Sequence, residues 1–524
     1  RHAPPGPPHT EAAVKRKKFG LLAAGLASTV ALTTLPSVTA AAVDEVNSHK
    51  LREAVTVSGI LGHERVLQRI ANEHDGTRAS GTSGYDASAQ YVKRTLRRAG
   101  YRVYEQKFTF PFFRELSPPV LEQVSPTPTD YETGTFEFSG SGDVTGALVP
   151  IDLTIPPSPA PGSTSGCEAS DFPAAPSDSS VALVQRGTCT FELKAANAEA
   201  AGYDAVIIFN EGQPGRQELV TGTLGRPFDI PVVGLSFADA ESLYGQLQAG
   251  DDVVLHVATQ TDTDLNRPTT NVFAETRQGN PDKVVVVGAH LDSVLAGPGI
   301  NDNGSGTATV LEIAEQMAKL NIKPRQQVRF AFWGAEEPGL LGSEHYVASL
   351  NNRQLRRIFA NLNFDMVGSP NYVRFVYDGD GSDTPVAGPP GSAQIEDIFT
   401  GYFAGQGMAT EPTAFDGRSD YGPFIAVGIP AGGLFSGAEG IKTPEEAAIF
   451  GGTAGEPYDP CYHQACDTVN NLSTAALNEL GDAAAHAVLT LARTRSGFFE
   501  DGSLRAAKQY VAPELPYRGS LAQR

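Results

Sequence analysis

DKVVVVGAHLDSVLAGPGINDNGSG (282–306) joins four consecutive valines to a glycine-rich run that contains one histidine and two aspartates. An apolar run without alternation is typical of a strand covered by helices on both faces. Glycine loosens the backbone and aspartate weakens both helix and strand, so local propensity does not explain His290, Asp292 and Asp302. The stretch therefore predicts a buried strand followed by a loop whose polar residues have a function.

The segments on either side alternate between strand and helix patterns. NVFAETR (271–277) predicts a strand, TATVLEIAEQMAKL (307–320) a helix, and QVRFAFWGAEE (327–337) another strand. We expect an α/β domain with a mixed, mostly parallel sheet and helices on both faces. This domain is predicted to comprise residues 45–115 and 265–498.

The first part of that domain begins with helices. Residues 63–110 predict two amphipathic helices and then an alternating strand, and Gly100 ends the second helix. Four residues of that second helix recur at helical spacing: Tyr85, Ala89, Val92 and Leu96.

A second domain is predicted between these two parts. A chain of 524 residues is too long for one simple core. Residues 179–211 follow the order strand, turn, helix, strand, and residues 226–250 repeat that alternation. We therefore expect a smaller inserted domain at 116–262, and a tail at 499–524 with little pattern.

The N-terminus has the features of a secretory signal peptide. Four basic residues, 15–18, precede FGLLAAGLASTVALTTLPSVTA (19–40), which ends in small residues. A retained membrane anchor is the alternative, but threonine, serine and Pro36 dilute the apolar run. Residues 1–42 are predicted to be leader and signal peptide, and the mature protein to be extracellular, free of the membrane and monomeric. The net charge of −20 argues against nucleic acid as a partner.

The four cysteines suit an oxidising compartment. Cys461 and Cys466 lie five residues apart and can close a small loop, which leaves Cys167 and Cys189 for each other. Four cysteines allow three pairings, and proximity favours this one. A structural zinc site is the alternative, although the four cysteines do not have the paired C-x-x-C spacing that is usual for such sites.

Several predicted strand ends and loops carry polar residues that could bind metal. Ligands gather at the carboxyl ends of strands in open α/β sheets. Two imidazoles and three carboxylates suit two zinc-type ions that share one of the carboxylates. The five candidate residues are His290, Asp302, Glu337, Asp365 and His463. Taken singly, each has an ordinary structural explanation, such as a polar strand end or a turn. Together they favour a metal site. Asp292, expected to continue the strand after His290, is predicted to orient that imidazole.

Two further residues are candidates for catalysis. Glu336 is a surplus carboxylate beside a ligand, and we expect it to act as general base. Tyr462, inside the cysteine loop, is placed to donate to a developing oxyanion. The structural alternatives are a solvated helix start for Glu336 and a core tyrosine for Tyr462.

Six ordered motifs now make the chain recognisable. It resembles the secreted two-zinc aminopeptidases of the streptomycete leucine aminopeptidase type, and 183–210 resembles a protease-associated (PA) domain. The motifs are AHLDSV…GINDNGSG, FWGAEEPGLLGSEHY, LNFDMVGSP, DGRSDYGPF, GGLFSGAE and CYHQACD. The likeness also extends to GYDASAQYVKRTLRRAGY (84–101).

The resemblance implies how the ligands divide between the ions. One zinc is expected on His290 and Asp365 and the other on Glu337 and His463, with Asp302 bridging. It also implies a cis peptide bond after Asp302. It further implies that Glu336 acts as the general base and Tyr462 as the oxyanion donor, in agreement with the roles inferred above.

The resemblance further implies a substrate: a peptide or protein with a free N-terminus and a large hydrophobic first residue. By position, Met366, Gly417, Arg418 and Phe435 are expected to form the wall of its pocket. The family often has histidine where this chain has Tyr421. A carboxypeptidase on the same scaffold and a peptide-binding protein without catalysis are the alternative functions. The first would need a cationic pocket, and the complete ligand set argues against the second.

Overall fold

The computed structural model describes residues 46–176, 179–495 and 497–498. Its helices are α1 His49–Ala54, α2 Val57–Glu73, α3 Ser83–Arg98, α4 Phe191–Ala200, α5 Phe237–Ala249, α6 Gly306–Lys319, α7 Leu341–Ser349, α8 Asn352–Leu355, α9 Ser392–Gly405, α10 Gly422–Ala426, α11 Pro444–Phe450 and α12 Thr474–Arg493. Its strands are β1 Arg102–Ser125, β2 Thr129–Asp130, β3 Gly142–Ile151, β4 Ser180–Gln185, β5 Ala205–Phe209, β6 Val232–Leu235, β7 Val254–Glu275, β8 Asn280–His290, β9 Gln326–Trp333, β10 Ile358–Phe364, β11 Phe375–Tyr377, β12 Glu411–Thr413 and β13 Ala431–Phe435.

The valine run forms the buried centre of β8. Val285 and Val287 pack into one core with α6 and α12, whereas Val284 and Val286 pack into a second core with Phe424. Successive side chains of a strand point to opposite faces, so all four valines are buried only if both faces are covered. The absence of alternation in the sequence has this physical cause.

The strands form one sheet with the order β12-β11-β13-β10-β8-β9-β7-β3-β4-β5-β6. Strands β13, β10, β8 and β9 are mutually parallel neighbours, and β7 joins them antiparallel to β9. The predicted α/β class, with a mixed and mostly parallel sheet, is confirmed.

A long antiparallel ribbon links the two parts of this sheet. β1 pairs with β7 from Arg102↔Glu275 to Ser125↔Val254. One end of β7 pairs with β9, and the other end pairs with β3, which continues into the parallel strands β4, β5 and β6. These strands and the helices α4 and α5 have two hydrophobic cores of their own. The predicted boundaries of the insertion therefore fall inside β1 and β7, not in linkers.

The N-terminal helices agree with the predicted pattern. In α3, the side chain of Thr82 caps the first turn by accepting from the backbone of Tyr85, and Gly100 follows the helix with φ +91°. All four predicted apolar residues of this helix are buried.

Two strand ends differ from the prediction. β8 ends at His290, so Asp292 lies in the loop and not in the strand. β9 ends at Trp333, three residues before Glu336. Aspartate and glycine are poor strand residues, and the chain must turn here to reach α6 and α7. The predicted signal peptide (1–42) and tail (499–524) lie outside the described residues. Within the described part, no helix has the length and apolar character needed to cross a membrane.

Candidate metal centre

The sheet order gathers the predicted ligands at one edge. β10, β8 and β9 are adjacent and parallel, so their carboxyl ends meet. His290 is the last residue of β8, Asp365 follows β10 directly, and Glu336 and Glu337 lie in the loop after β9. This is the edge where ligands bind in open α/β sheets.

Asp302 lies between the two imidazoles. Its Oδ1 is 3.2 Å from Nε2 of His290, and its Oδ2 is 3.1 Å from Nε2 of His463. On the far sides, His290 Nε2 is 3.2 Å from Asp365 Oδ1, and His463 Nε2 is 3.1 Å from Glu337 Oε2. Each imidazole thus faces one oxygen of Asp302 and one carboxylate of its own, which is Asp365 for His290 and Glu337 for His463. The Asp302–Asn303 peptide bond is cis, as the resemblance implies.

The donor set fits two divalent cations. Two bonds of about 2.0–2.1 Å to one zinc ion at the tetrahedral angle place the ligand atoms about 3.3 Å apart, close to the observed separations. Four carboxylates crowd together here, three of them buried and the fourth, on Glu337, only 9% exposed: Asp302, Glu336, Glu337 and Asp365. Two divalent ions would neutralise four such charges. Glu337 Oε1 has no hydrogen-bond partner among the described residues, so this buried oxygen is free for a ligand.

Electrostatics point the same way. Burial alone would lower the pKa of His290, but the carboxylates of Asp365 and Glu336 outweigh it and raise that pKa well above its usual range. Burial raises the pKa of Glu336 well above its usual range, and Asp365 adds to this rise against the opposing effect of His290. These carboxylates thus favour positive charge between them, which divalent cations supply.

Several supporting contacts were not found by sequence reasoning. Asp467 accepts hydrogen bonds from the backbone N–H groups of Asn301 and Asp302, at 2.8 and 3.0 Å, and so holds the loop of the shared carboxylate. Ser419 donates to Asp365 Oδ2 at 2.5 Å. Both residues lie inside motifs that the sequence analysis quoted, but their partners are distant in the chain. Such contacts orient the residues that face the metal.

Asp292 differs from its predicted role in one respect. The Nδ1 atom of His290 is 3.1 Å from the backbone oxygen of Asp292 and 3.7 Å from its carboxylate. That carboxylate instead accepts from the backbone N–H of Glu336 at 3.3 Å. Because Asp292 has left the strand, its backbone is nearer the imidazole than its side chain is.

The cysteine loop carries Tyr462 and His463. Cys461–Cys466 and Cys167–Cys189 both form disulfides, which confirms the predicted pairing. The Tyr462 ring stacks on the His463 ring with centroids 3.9 Å apart. Burial raises the pKa of Tyr462 far above its usual range, and the neighbouring carboxylates add to the effect, so its phenol keeps its proton. Nη2 of Arg418 donates to the Tyr462 oxygen at 3.3 Å.

A cavity opens over the centre. Three of the four predicted pocket residues line it, namely Met366, Arg418 and Phe435, together with Tyr377, Ala414 and Asp416 among others. Gly417 does not line the cavity; its N–H donates to the Tyr421 hydroxyl at 3.0 Å. Tyr421 also donates to Asp416 at 2.7 Å and is fully buried, so it supports the loop beneath the pocket.

Comparison with known proteins identifies the family. The family model of Peptidase family M28 matches residues 271–488, and that of the PA domain matches residues 144–243. An aminopeptidase of Pseudomonas aeruginosa is 48% identical over 442 residues, which is 83% of this chain and 81% of that protein. The chain belongs to peptidase family M28. Leucine aminopeptidase 2 of Trichophyton rubrum is 37% identical to this M28 peptidase over 457 residues, covering 86% of this chain and 88% of that protein.

Solved structures agree with this M28 assignment. The aminopeptidase from Aneurinibacillus sp. strain AM-1 has a TM-score of 0.62 at 26% identity, covering 86% of this chain and 97% of that one. BSAP, a zinc aminopeptidase from Bacillus subtilis, has a TM-score of 0.57 at 26% identity, covering 87% and 98%. The predicted family, its inserted PA domain and the enzyme class, an aminopeptidase, are confirmed.

Proposed function

We propose that this M28 peptidase is a secreted aminopeptidase that binds two zinc ions and removes large hydrophobic residues from the N-terminus of peptides and proteins. The observation that carries the proposal is the position of Asp302, whose two oxygens face two different imidazoles. One carboxylate between two separate N/O ligand pairs is the arrangement that a two-metal hydrolase needs.

In this proposal, His290 and Asp365 hold one ion, and Glu337 and His463 hold the other, with Asp302 shared. The names of the structural relatives support zinc, as does the mixed imidazole and carboxylate set. When bound, zinc supplies Lewis acidity, which polarises the scissile carbonyl and lowers the pKa of water.

Glu336 is the general base of the proposed reaction. Its Oε2 is 3.9 Å from Nε2 of His290, and it lines the cavity without belonging to either ligand pair. It takes a proton from the attacking water and later delivers it to the leaving amine. Tyr462, which keeps its phenolic proton and lines the same cavity, donates to the oxyanion of the tetrahedral intermediate.

The cavity supports the proposed substrate class. Its wall combines apolar side chains of Met366, Phe435 and Tyr377 with the carboxylates of the centre. An apolar wall suits a large hydrophobic first side chain, and carboxylates suit the ammonium group of a free N-terminus.

We further propose the division of the chain that the sequence predicts: a leader at 1–42, a peptidase domain at 45–115 and 265–498, a PA domain at 116–262 and a tail at 499–524. The two disulfides support an oxidising, extracellular location. A monomer acting on peptides, without nucleic acid or membrane as a partner, completes the proposal.

The proposed function predicts that the protein releases p-nitroaniline from leucine p-nitroanilide and that a zinc chelator abolishes this turnover. Added zinc should restore it, because the ligands are preformed in the fold. A peptide with an acetylated N-terminus should not be cut from that end, and the same peptide with a free amine should be. Release of the last residue from the acetylated peptide would instead indicate a carboxypeptidase, and tight binding without turnover would indicate a binding protein.

Tyr462→Phe should lower kcat by about 10²–10³-fold with little change in KM, because one oxyanion donor is lost while the binding wall is intact. Tyr458→Phe is the matched control, since its hydroxyl donates to Glu446 and does not line the cavity. Steady-state kinetics of the two variants check this. Equal effects of both substitutions would contradict the role of Tyr462.

A further inference from the structure

A second cluster of metal-type side chains lies where α2 packs against α6, outside the candidate centre. It consists of His63 on α2 and of Glu312 and Glu315 on α6. The two glutamates are three residues apart, so they lie on the same face of their helix. The His63 and Glu312 side chains are 8% and 4% exposed, whereas that of Glu315 is 25% exposed, which leaves the cluster open to solvent on one side.

The distances are those of ligands around an ion. Nε2 of His63 is 3.4 Å from Glu312 Oε2 and 3.5 Å from Glu315 Oε2, and this nitrogen has no hydrogen-bond partner among the described residues. Charge-assisted hydrogen bonds are shorter, about 2.7–2.9 Å. His256 and Asp143 of this same chain form such a pair at 2.9 Å. Two ligands of one tetrahedral zinc lie about 3.3 Å apart, and the separations in the candidate centre are similar.

The surrounding contacts hold each donor in place. The Tyr91 hydroxyl is 2.6 Å from Nδ1 of His63, so the other ring nitrogen faces the two carboxylates. Gln316 donates to Oε1 of Glu312 at 2.8 Å, which leaves Oε2 for the cluster. A Cβ atom at Gly59 would come within 2.1 Å of Glu312 Oε1, so the carboxylate occupies space that only glycine provides.

We propose that His63, Glu312 and Glu315 bind a divalent transition-metal ion of the zinc type, separate from the catalytic ions, with water completing the coordination on the exposed side. One neutral imidazole and two carboxylates neutralise such an ion, and the set is one of the mixed N/O sets that zinc accepts. Tyr91 orients the imidazole, as such partners do at metal sites. The ion clamps α2 to α6, the helix that begins directly after the Asp302 loop.

An ion pair is the competing explanation. Burial alone would lower the pKa of His63, but Glu312 and Glu315 outweigh it and raise that pKa, so a protonated imidazole would also be attracted to them. Lys319 and Arg98 lie near Glu315 and add positive charge there. The two explanations differ in one measurable quantity, the number of metal ions bound.

The experiment is a metal count on the full-length protein, saturated with zinc and then freed of excess by gel filtration. His63→Gln should bind one equivalent fewer than the wild type by elemental analysis, whatever the number in the catalytic centre. Both proteins are also loaded with cobalt, and their absorption spectra are recorded. The spectrum of the wild type minus that of the variant should be the spectrum of a low-coordinate cobalt site.

Two further variants keep the test decisive if His63→Gln does not fold. Glu315→Gln changes a partly exposed side chain and should also lose one equivalent. Gly59→Ala keeps all three ligands and favours the helix by propensity, yet it should lose the ion because the new methyl group displaces the Glu312 carboxylate. His256→Gln, which removes an ordinary ion pair, is the control and should bind as much zinc as the wild type. Equal metal content in wild type and folded variants would overturn the proposal and leave the ion pair.

Discussion

Glu336→Gln should lower kcat on leucine p-nitroanilide by about 10²–10⁴-fold, the usual contribution of a positioned general base, while the protein keeps its full zinc content. The amide has the size of the carboxylate but cannot accept the proton of the attacking water. Glu336 lines the cavity and is not one of the five proposed ligands, so its replacement should leave those proposed ligands intact. Steady-state kinetics combined with elemental analysis measure both quantities.

Glu337→Gln is the matched control, because it makes the same chemical change one residue along the chain. Glu337 Oε2 is 3.1 Å from Nε2 of His463, so this substitution should weaken zinc binding and lower activity that excess zinc partly restores. Glu336→Gln should not respond to added zinc. If the responses to zinc were reversed, the roles assigned to the two glutamates would be wrong.

Asp302→Ala should weaken the binding of both zinc ions and reduce turnover by at least about 10³-fold. Metal ions contribute several kcal/mol to transition-state stabilisation, and each 1.36 kcal/mol corresponds to about tenfold in rate. The two oxygens of Asp302 face His290 and His463 respectively, so its removal affects both proposed ligand pairs at once.

Asp416→Asn is the control for this substitution. Asp416 lines the same cavity, but its carboxylate accepts from Tyr421 and from a backbone N–H and belongs to neither ligand pair. It should keep both ions. Isothermal titration of the zinc-free proteins measures the number and affinity of the sites. Two unaltered zinc sites in Asp302→Ala would contradict the shared-carboxylate arrangement.

The amino-acid sequence determined the central strand and much of the candidate centre. Four valines without alternation can only be buried together if helices cover both faces of the sheet, and the structure has this arrangement around β8. Polar residues directly after apolar strands were sufficient to select His290 and Asp365, because the carboxyl ends of parallel strands meet at one edge. Such features can be predicted from the sequence because the residues that cause them lie within a few positions of one another.

Strand ends were predicted less well. The sequence does not show where β8 stops, since His290 and Asp292 have the spacing of residues on one strand face. β8 ends at His290, and the backbone of Asp292, not its carboxylate, comes nearest to the imidazole. The direction of a loop depends on how it packs against elements that are distant in the chain. A local sequence pattern carries no information about such contacts.

Only the tertiary structure decided which distant residues meet. Asp467 holds the backbone of the Asp302 loop, and His63 faces Glu312 and Glu315, although no spacing in the sequence connects these residues. The sequence by itself determined which metal-binding side chains are available and which strand, β8, ends beside them. Folding of the whole chain determined their partners, because a hydrogen bond or a metal ligand set depends on ångström-scale distances between elements that are far apart along the chain.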